Sequence, residues 1–191
     1  IGITRENLDR FTDISRRLYG VGPEQQTGQF DRKTTANTWF ARLDWQLDER
    51  NRLTIRNNYN VWDNPFSVDD NSTVTLAESW SDFSSWENST LLSLRTAIRP
   101  QFINELKVQY QHAERAFVPS TQLPAANIPR AIVDVKSVLP NGSNRTISAQ
   151  IGGQRFTPET NQEDMVQLTN TAYWSTRGLN FTFGTDNMVT R

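Results

Sequence analysis

The feature that most constrains this chain is a two-residue alternation, held almost unbroken through two neighbouring runs and the turn between them. From Trp39 to Leu47 the odd positions are Trp39, Ala41, Leu43, Trp45 and Leu47, and the even ones Phe40, Arg42, Asp44 and Gln46. After Asp48-Glu49-Arg50-Asn51 the pattern resumes. Leu53, Ile55, Tyr59 and Val61 then share one face, and Arg52, Thr54, Arg56, Asn58 and Asn60 the other. Successive strand side chains point to opposite faces, so the two runs form a hairpin with one apolar wall and one polar wall. Phe40 and Asn57 are the mismatches.

Two further hairpins follow the same rule. In Trp86–Ile98, Thr90, Leu92, Leu94 and Ile98 oppose Glu87, Ser89, Ser93 and Arg95, with Leu91 out of place. Arg99-Pro100-Gln101 forms a turn, because proline fixes φ and cannot donate to a ladder. The partner run is Phe102–His112, where Leu106, Val108 and Tyr110 alternate with Glu105, Lys107, Gln109 and Gln111. The third hairpin joins Met165–Ser175 to Leu179–Met188 around Thr176-Arg177-Gly178. Polar connections run over Asp63–Ser79 and Arg115–Glu163. Within the second, Ile132–Val138 and Thr146–Phe156 are expected to pair as an excursion outside the main sheet. Ahead of all this, Leu8, Phe11, Ile14 (or Ser15) and Leu18 recur at helical spacing after Thr4, and Gly20, Gly22 and Pro23 stop the helix.

In order, the connections are short, long, short, long, short. Alternate connections of an up-and-down sheet fall at the same end, so every short turn lies at one end and both long loops at the other. Transmembrane barrels are asymmetric in this way, and runs of about ten residues match a tilted crossing of hydrocarbon. Composition agrees. Only 36% of residues are hydrophobic, yet there are six Trp, ten Phe and four Tyr. Trp39, Trp62, Trp86, Phe102 and Trp174 fall near strand ends, where aromatic rings form girdles at membrane interfaces. The expected fold is therefore all-β: antiparallel up-and-down hairpins forming part of a transmembrane β-barrel, with a short N-terminal helix in a loop. Residues 1–33 are assigned to helix and extracellular loop, and 34–191 to about six barrel strands.

The formal net charge of −1 supplies no field for nucleic acid, and cysteine is absent, which removes disulfides, thiolate metal sites and cysteine nucleophiles. No run is long enough for a membrane-spanning helix. The chain is expected to be a piece of a longer protein.

Phe40-Ala41-Arg42-Leu43-Asp44-Trp45-Gln46-Leu47, followed by Asn51-Arg52-Leu53-Thr54-Ile55-Arg56-Asn57-Asn58-Tyr59, resembles a hairpin of the Oar-like TonB-dependent outer-membrane receptors. Asn104-Glu105-Leu106-Lys107-Val108-Gln109-Tyr110 and Leu179-Asn180-Phe181-Thr182-Phe183-Gly184-Thr185-Asp186-Asn187 are similar to later barrel strands of that family. The likeness covers most of residues 34–191. It implies residence in the bacterial outer membrane, contact with lipid, and uptake or binding of an extracellular ligand that the sequence does not name. It also implies energy from a TonB complex, through a plug and TonB box that lie outside this chain.

No constellation of residues suggests catalysis, and no catalytic residue, cofactor or metal ligand is assigned. His112, the sole histidine, has no Cys or second His for zinc, and nothing marks a triad around it. Asp69, Asp70 and Asn71 offer oxygens of the kind calcium takes, but not at EF-hand spacing. The polar-face charges Arg42, Asp44, Arg56, Glu105 and Lys107 are the candidates for lining a solute path. The competing reading is a soluble or secreted all-β module that binds glycans through exposed tryptophans.

Overall fold

The computed structural model describes residues 2–20, 29, 31–67, 74–76, 80–120, 129–153 and 156–191. The calcium-type oxygens at 69–71 lie outside that set. Among the described residues there are one helix, α1 (Arg5–Tyr19), and nine strands. These are β1 (Thr35–Gln46), β2 (Asn51–Ser67), β3 (Val74–Thr75), β4 (Ser81–Arg99), β5 (Phe102–Pro119), β6 (Ala131–Val138), β7 (Asn144–Ile151), β8 (Glu159–Thr176) and β9 (Leu179–Thr190). Six of them form one sheet in the order β1-β2-β4-β5-β8-β9, and the others form a second in the order β3-β7-β6. The main sheet is the expected meander of three hairpins, and it stays open. The expected excursion is present as well: β6 pairs antiparallel with β7 over all eight residues, and the two-residue β3 adds in parallel.

Tight turns join the hairpins, and each has a local cause. In the first, the Asp48 carboxylate accepts from the backbone N–H groups of Arg50 (2.7 Å) and Asn51 (2.9 Å) and from the Asn51 side-chain amide (2.8 Å). An aspartate that bonds the backbone just ahead of it replaces the turn's missing ladder partners. These bonds, the Asn51 amide foremost, hold the Asp48 carboxyl below its usual range. In the third, Thr176 pairs with Leu179, leaving Arg177 (φ 47°) and Gly178 (φ 80°) as a two-residue loop. Both positive φ values suit the turn whose twist matches the strands it joins.

Strands β2, β4, β5 and β8 run 17 to 19 residues, past the points where alternation ends. Beyond Val61, for example, come Trp62-Asp63-Asn64-Pro65, with polar residues on both faces and a proline within. Alternation therefore marks only the part of a strand that has one apolar face.

The chain divides into two compact units. One comprises residues 1–35, 63–84 and 116–160. Its core is Phe11, Leu76, Ala149 and Ile151, with Ala131 and Val135 against it. Helix α1 begins at Thr4, whose hydroxyl caps the Asn7 N–H, and closes on Gly20 in the left-handed conformation. Of the positions at helical spacing, Phe11 and Ser15 are buried and Ile14 and Leu18 are exposed. Leu18 is 69% exposed, while Thr12 and Ser15 are buried beside Phe11. Their hydroxyls donate to the carbonyls of Leu8 and Phe11, which removes the cost of burying them. At its first turn the helix reaches β6 through Asn7, which donates to the Lys136 carbonyl (2.8 Å) and the Ser137 hydroxyl (2.9 Å).

The other unit comprises residues 36–62, 85–115 and 161–191, the hairpin stretches that alternate. Its apolar face is bare. Leu43 is 56% exposed, Trp45 58%, Phe183 55% and Val189 70%. All twelve residues of β1 and all twelve of β9, the two sheet edges, are exposed.

Candidate functional site

The polar wall of the alternating unit is wired across its strands. Asp44 of β1 is gripped by Arg42 (2.8 Å) on its own strand and by Arg52 (3.2 Å) on β2, and the Thr54 hydroxyl donates to it (2.6 Å). Glu105 of β5 pairs with Lys107 at 3.0 Å, accepts from Ser93 of β4 at 3.0 Å, and is met by the Tyr173 hydroxyl of β8. Gln109 donates to Ser89, and Gln167 of β8 to Asp186 of β9. Exposed ion pairs are each worth about 1 kcal/mol or less, so this wall holds a set orientation more than it adds stability.

The five charged candidates form two ion pairs and leave one over. Arg42 and Asp44 pair with each other, as do Glu105 and Lys107. Arg56 has no ion-pair partner among the described residues. Together with Lys107 it lines a cleft of about 260 Å³, completed by Leu91, Gln109, Gln167 and Thr169. Sequence reasoning passed over Gln109, Gln167, Thr169 and Leu91. The first three sat in plain view at polar-face positions. Only the register, which alternation does not give, puts them beside Arg56.

The apolar wall carries its own ordered features. Trp39 of β1 stacks on Tyr59 of β2 (5.5 Å between centroids), Tyr59 meets Trp86 of β4 (6.3 Å), and Trp86 meets His112 of β5 (4.7 Å). His112 Nδ1 lies 2.8 Å from an Asp164 carboxylate oxygen, to which the Tyr110 hydroxyl also donates at 2.6 Å. The histidine thus ends a row of rings crossing four adjacent strands. Such a row suits a headgroup boundary, where one side of a ring is apolar and its edge is wet. Closer to the turns, Trp174 stacks on its cross-strand partner Phe181 at 5.4 Å.

Asn57, the mismatch of the first hairpin, also has a structural answer. Its side-chain amide donates to Asn88 (3.0 Å) and Thr90 (2.8 Å) of β4, so polar groups on the apolar wall satisfy one another. Among the described residues no group of three His, Asp or Glu side chains gathers as a metal site would require.

The family model described as outer membrane beta barrel domain matches residues 18–191. No curated protein and no solved structure matches the chain.

Proposed function

We propose a transport or receptor role for this chain, which belongs to the outer membrane beta barrel domain family and is a protein of the bacterial outer membrane. Its strands form part of a barrel wall, and the finer reading is that the whole protein is a TonB-dependent receptor of the Oar-like kind. The observation that carries this reading is the two-faced sheet. One wall exposes Leu43, Trp45, Phe183 and Val189 as lipid would require, and the other holds ionised side chains in a cross-strand network. A barrel of this construction has lipid outside and a polar lumen inside, so the charged wall borders the path of a solute. That arrangement supports binding or import of an extracellular solute. The energy source, the TonB complex, follows from the sequence resemblance.

A soluble glycan-binding module would need its apolar sheet face covered by a second layer. Residues that should be its core are more than half exposed, and the family places the chain in the outer membrane. No constellation favours catalysis, and the role proposed is binding and passage, without an enzymatic step.

The test uses the full-length receptor in detergent and the purified periplasmic domain of TonB from the same organism. Surface plasmon resonance should show saturable binding that is lost when the receptor's TonB box is deleted. A full-length barrel with no measurable binding would end the TonB-dependent reading and leave the outer-membrane barrel intact.

A further inference from the structure

One hollow in the polar wall has chemistry of a single sign. Arg56 of β2 and Lys107 of β5 line the 260 Å³ cleft, with Gln109, Gln167, Thr169 and Leu91, and among the described residues no carboxylate lines it. At about 260 Å³ it lies just below the range of drug-sized pockets, which begins at about 300 Å³, and has room for a small solute. The carboxylates nearby are already engaged. Glu105 is shared among Lys107, Ser93 and Tyr173, and Asp44 is held by Arg42, Arg52 and Thr54. Asp186 takes the Gln167 amide through both oxygens.

Arg56 is left over. Its Nε is buried and has no hydrogen-bond partner among the described residues. Buried guanidinium N–H groups are normally matched, since an unmet donor loses its water and gains nothing in return. The Arg56 side chain borders the cleft, and its planar guanidinium fork fits a carboxylate or phosphate better than any other side chain does. Lys107, with one carboxylate partner and three N–H donors, offers a second charge from the facing side.

The geometry points to an anion subsite: the Arg56–Lys107 cleft binds the carboxylate or phosphate group of a solute in the barrel lumen. This rests on the transport reading and names the chemical class of the solute. Leu91 forms the one apolar patch of the cleft, where the solute's carbon skeleton would lie. The Gln109 and Gln167 side-chain oxygens suit hydroxyl groups on that skeleton, since both amide nitrogens already donate elsewhere.

The test is isothermal titration of the full-length protein in detergent, with citrate and inorganic phosphate as probes and maltose as the uncharged control. Wild type should bind at least one of the two anions and not maltose, and whichever binds more tightly identifies carboxylate or phosphate. Arg56→Gln should weaken that binding about tenfold or more, and Lys107→Gln by a smaller factor. Arg52→Gln removes a cation that Asp44 already holds and should leave binding unchanged. Heat-modifiable migration verifies that each variant is folded. If Arg56→Gln fails that check, Arg56→Lys, which keeps the charge and loses the fork, should still bind several-fold more weakly than wild type. Absence of anion binding by wild type would overturn the proposal, as would equal binding by the folded Arg56 variant. Failure of the transport reading is distinguishable: TonB binding without anion binding removes only the subsite, and anion binding without TonB binding removes only the energised transport.

Discussion

Leu43 and Arg42 are neighbours in sequence on opposite walls, which makes them a direct probe of orientation. In the full-length protein Leu43→Arg places a cation on the lipid side, at a cost of about 2–4 kcal/mol near the midplane. Arg42→Leu removes a charge from the polar wall and should cost far less, because exposed ion pairs add little stability. Denaturant unfolding from lipid vesicles measures both, and equal losses would mean that the faces are assigned the wrong way round. Gly184 is constrained differently. A Cβ there would run into the carbonyl oxygen of Asn170 on the paired strand, an atom that cannot swing aside. Gly184→Ala should therefore cost about 2 kcal/mol by overpacking, read from the same unfolding curves. Asp48, in the turn, gives a pH signature. Its folded pKa lies below the unfolded value of about 3.9, so its hydrogen bonds contribute fully above that value. The contribution is lost as pH falls through the folded pKa. A carboxyl-carbon titration by NMR should show a midpoint below 3.9, and a midpoint at or above it would contradict the turn geometry. At this scale the sequence disclosed which wall each charge occupies. It could not disclose that Asp44 and Glu105 are spoken for while Arg56 is not, because that depends on cross-strand partners.

Among the elements, the hairpins were legible wherever lipid-like and water-like faces alternate, and less so where both faces are polar. That is why the ends of β2 and β4 lay beyond the alternating runs, and why the parallel addition of a two-residue β3 left no trace in the pattern. Helix α1 was readable from Thr4 and Gly20, the residues that start and stop it. Of its periodic positions Phe11 and Ser15 are buried while Ile14 and Leu18 are exposed, and Thr12, off that spacing, is buried with its hydroxyl bonded to the turn before it. The β2–β4 pair offers a test of how a polar group is accommodated on an apolar wall. Asn57→Leu removes the partner of Asn88 and Thr90 and should destabilise the full-length barrel by about 1 kcal/mol. Replacing all three, with Asn57→Leu, Asn88→Leu and Thr90→Val, should restore stability to wild type or better, since no polar group is then left unmet. A triple variant less stable than the single one would show that the cluster stabilises in its own right.

For the molecule as a whole, the order of short and long connections was the most informative signal, because it speaks about the two ends of a sheet rather than about any one strand. The barrel fold followed from the sequence. The cleft did not, since four strands, β2, β4, β5 and β8, must lie in register to form it. The intact protein should be recovered with the detergent-extracted outer membrane and run as two bands on gels, depending on whether it was boiled. A single boiling-independent band in the soluble fraction would exclude a barrel wall.

The exposed edges β1 and β9 have a consequence for timing. A twelve-residue edge leaves about half its backbone donors and acceptors without a ladder partner, and in hydrocarbon each unmet group costs several kcal/mol. These six strands therefore cannot enter the bilayer first and wait for neighbours. Insertion and lateral pairing must happen as one event, on a surface that shields the seam until it is joined. Released alone into water, the same seam would recruit whatever strand came by, and the product would be fibrous aggregate.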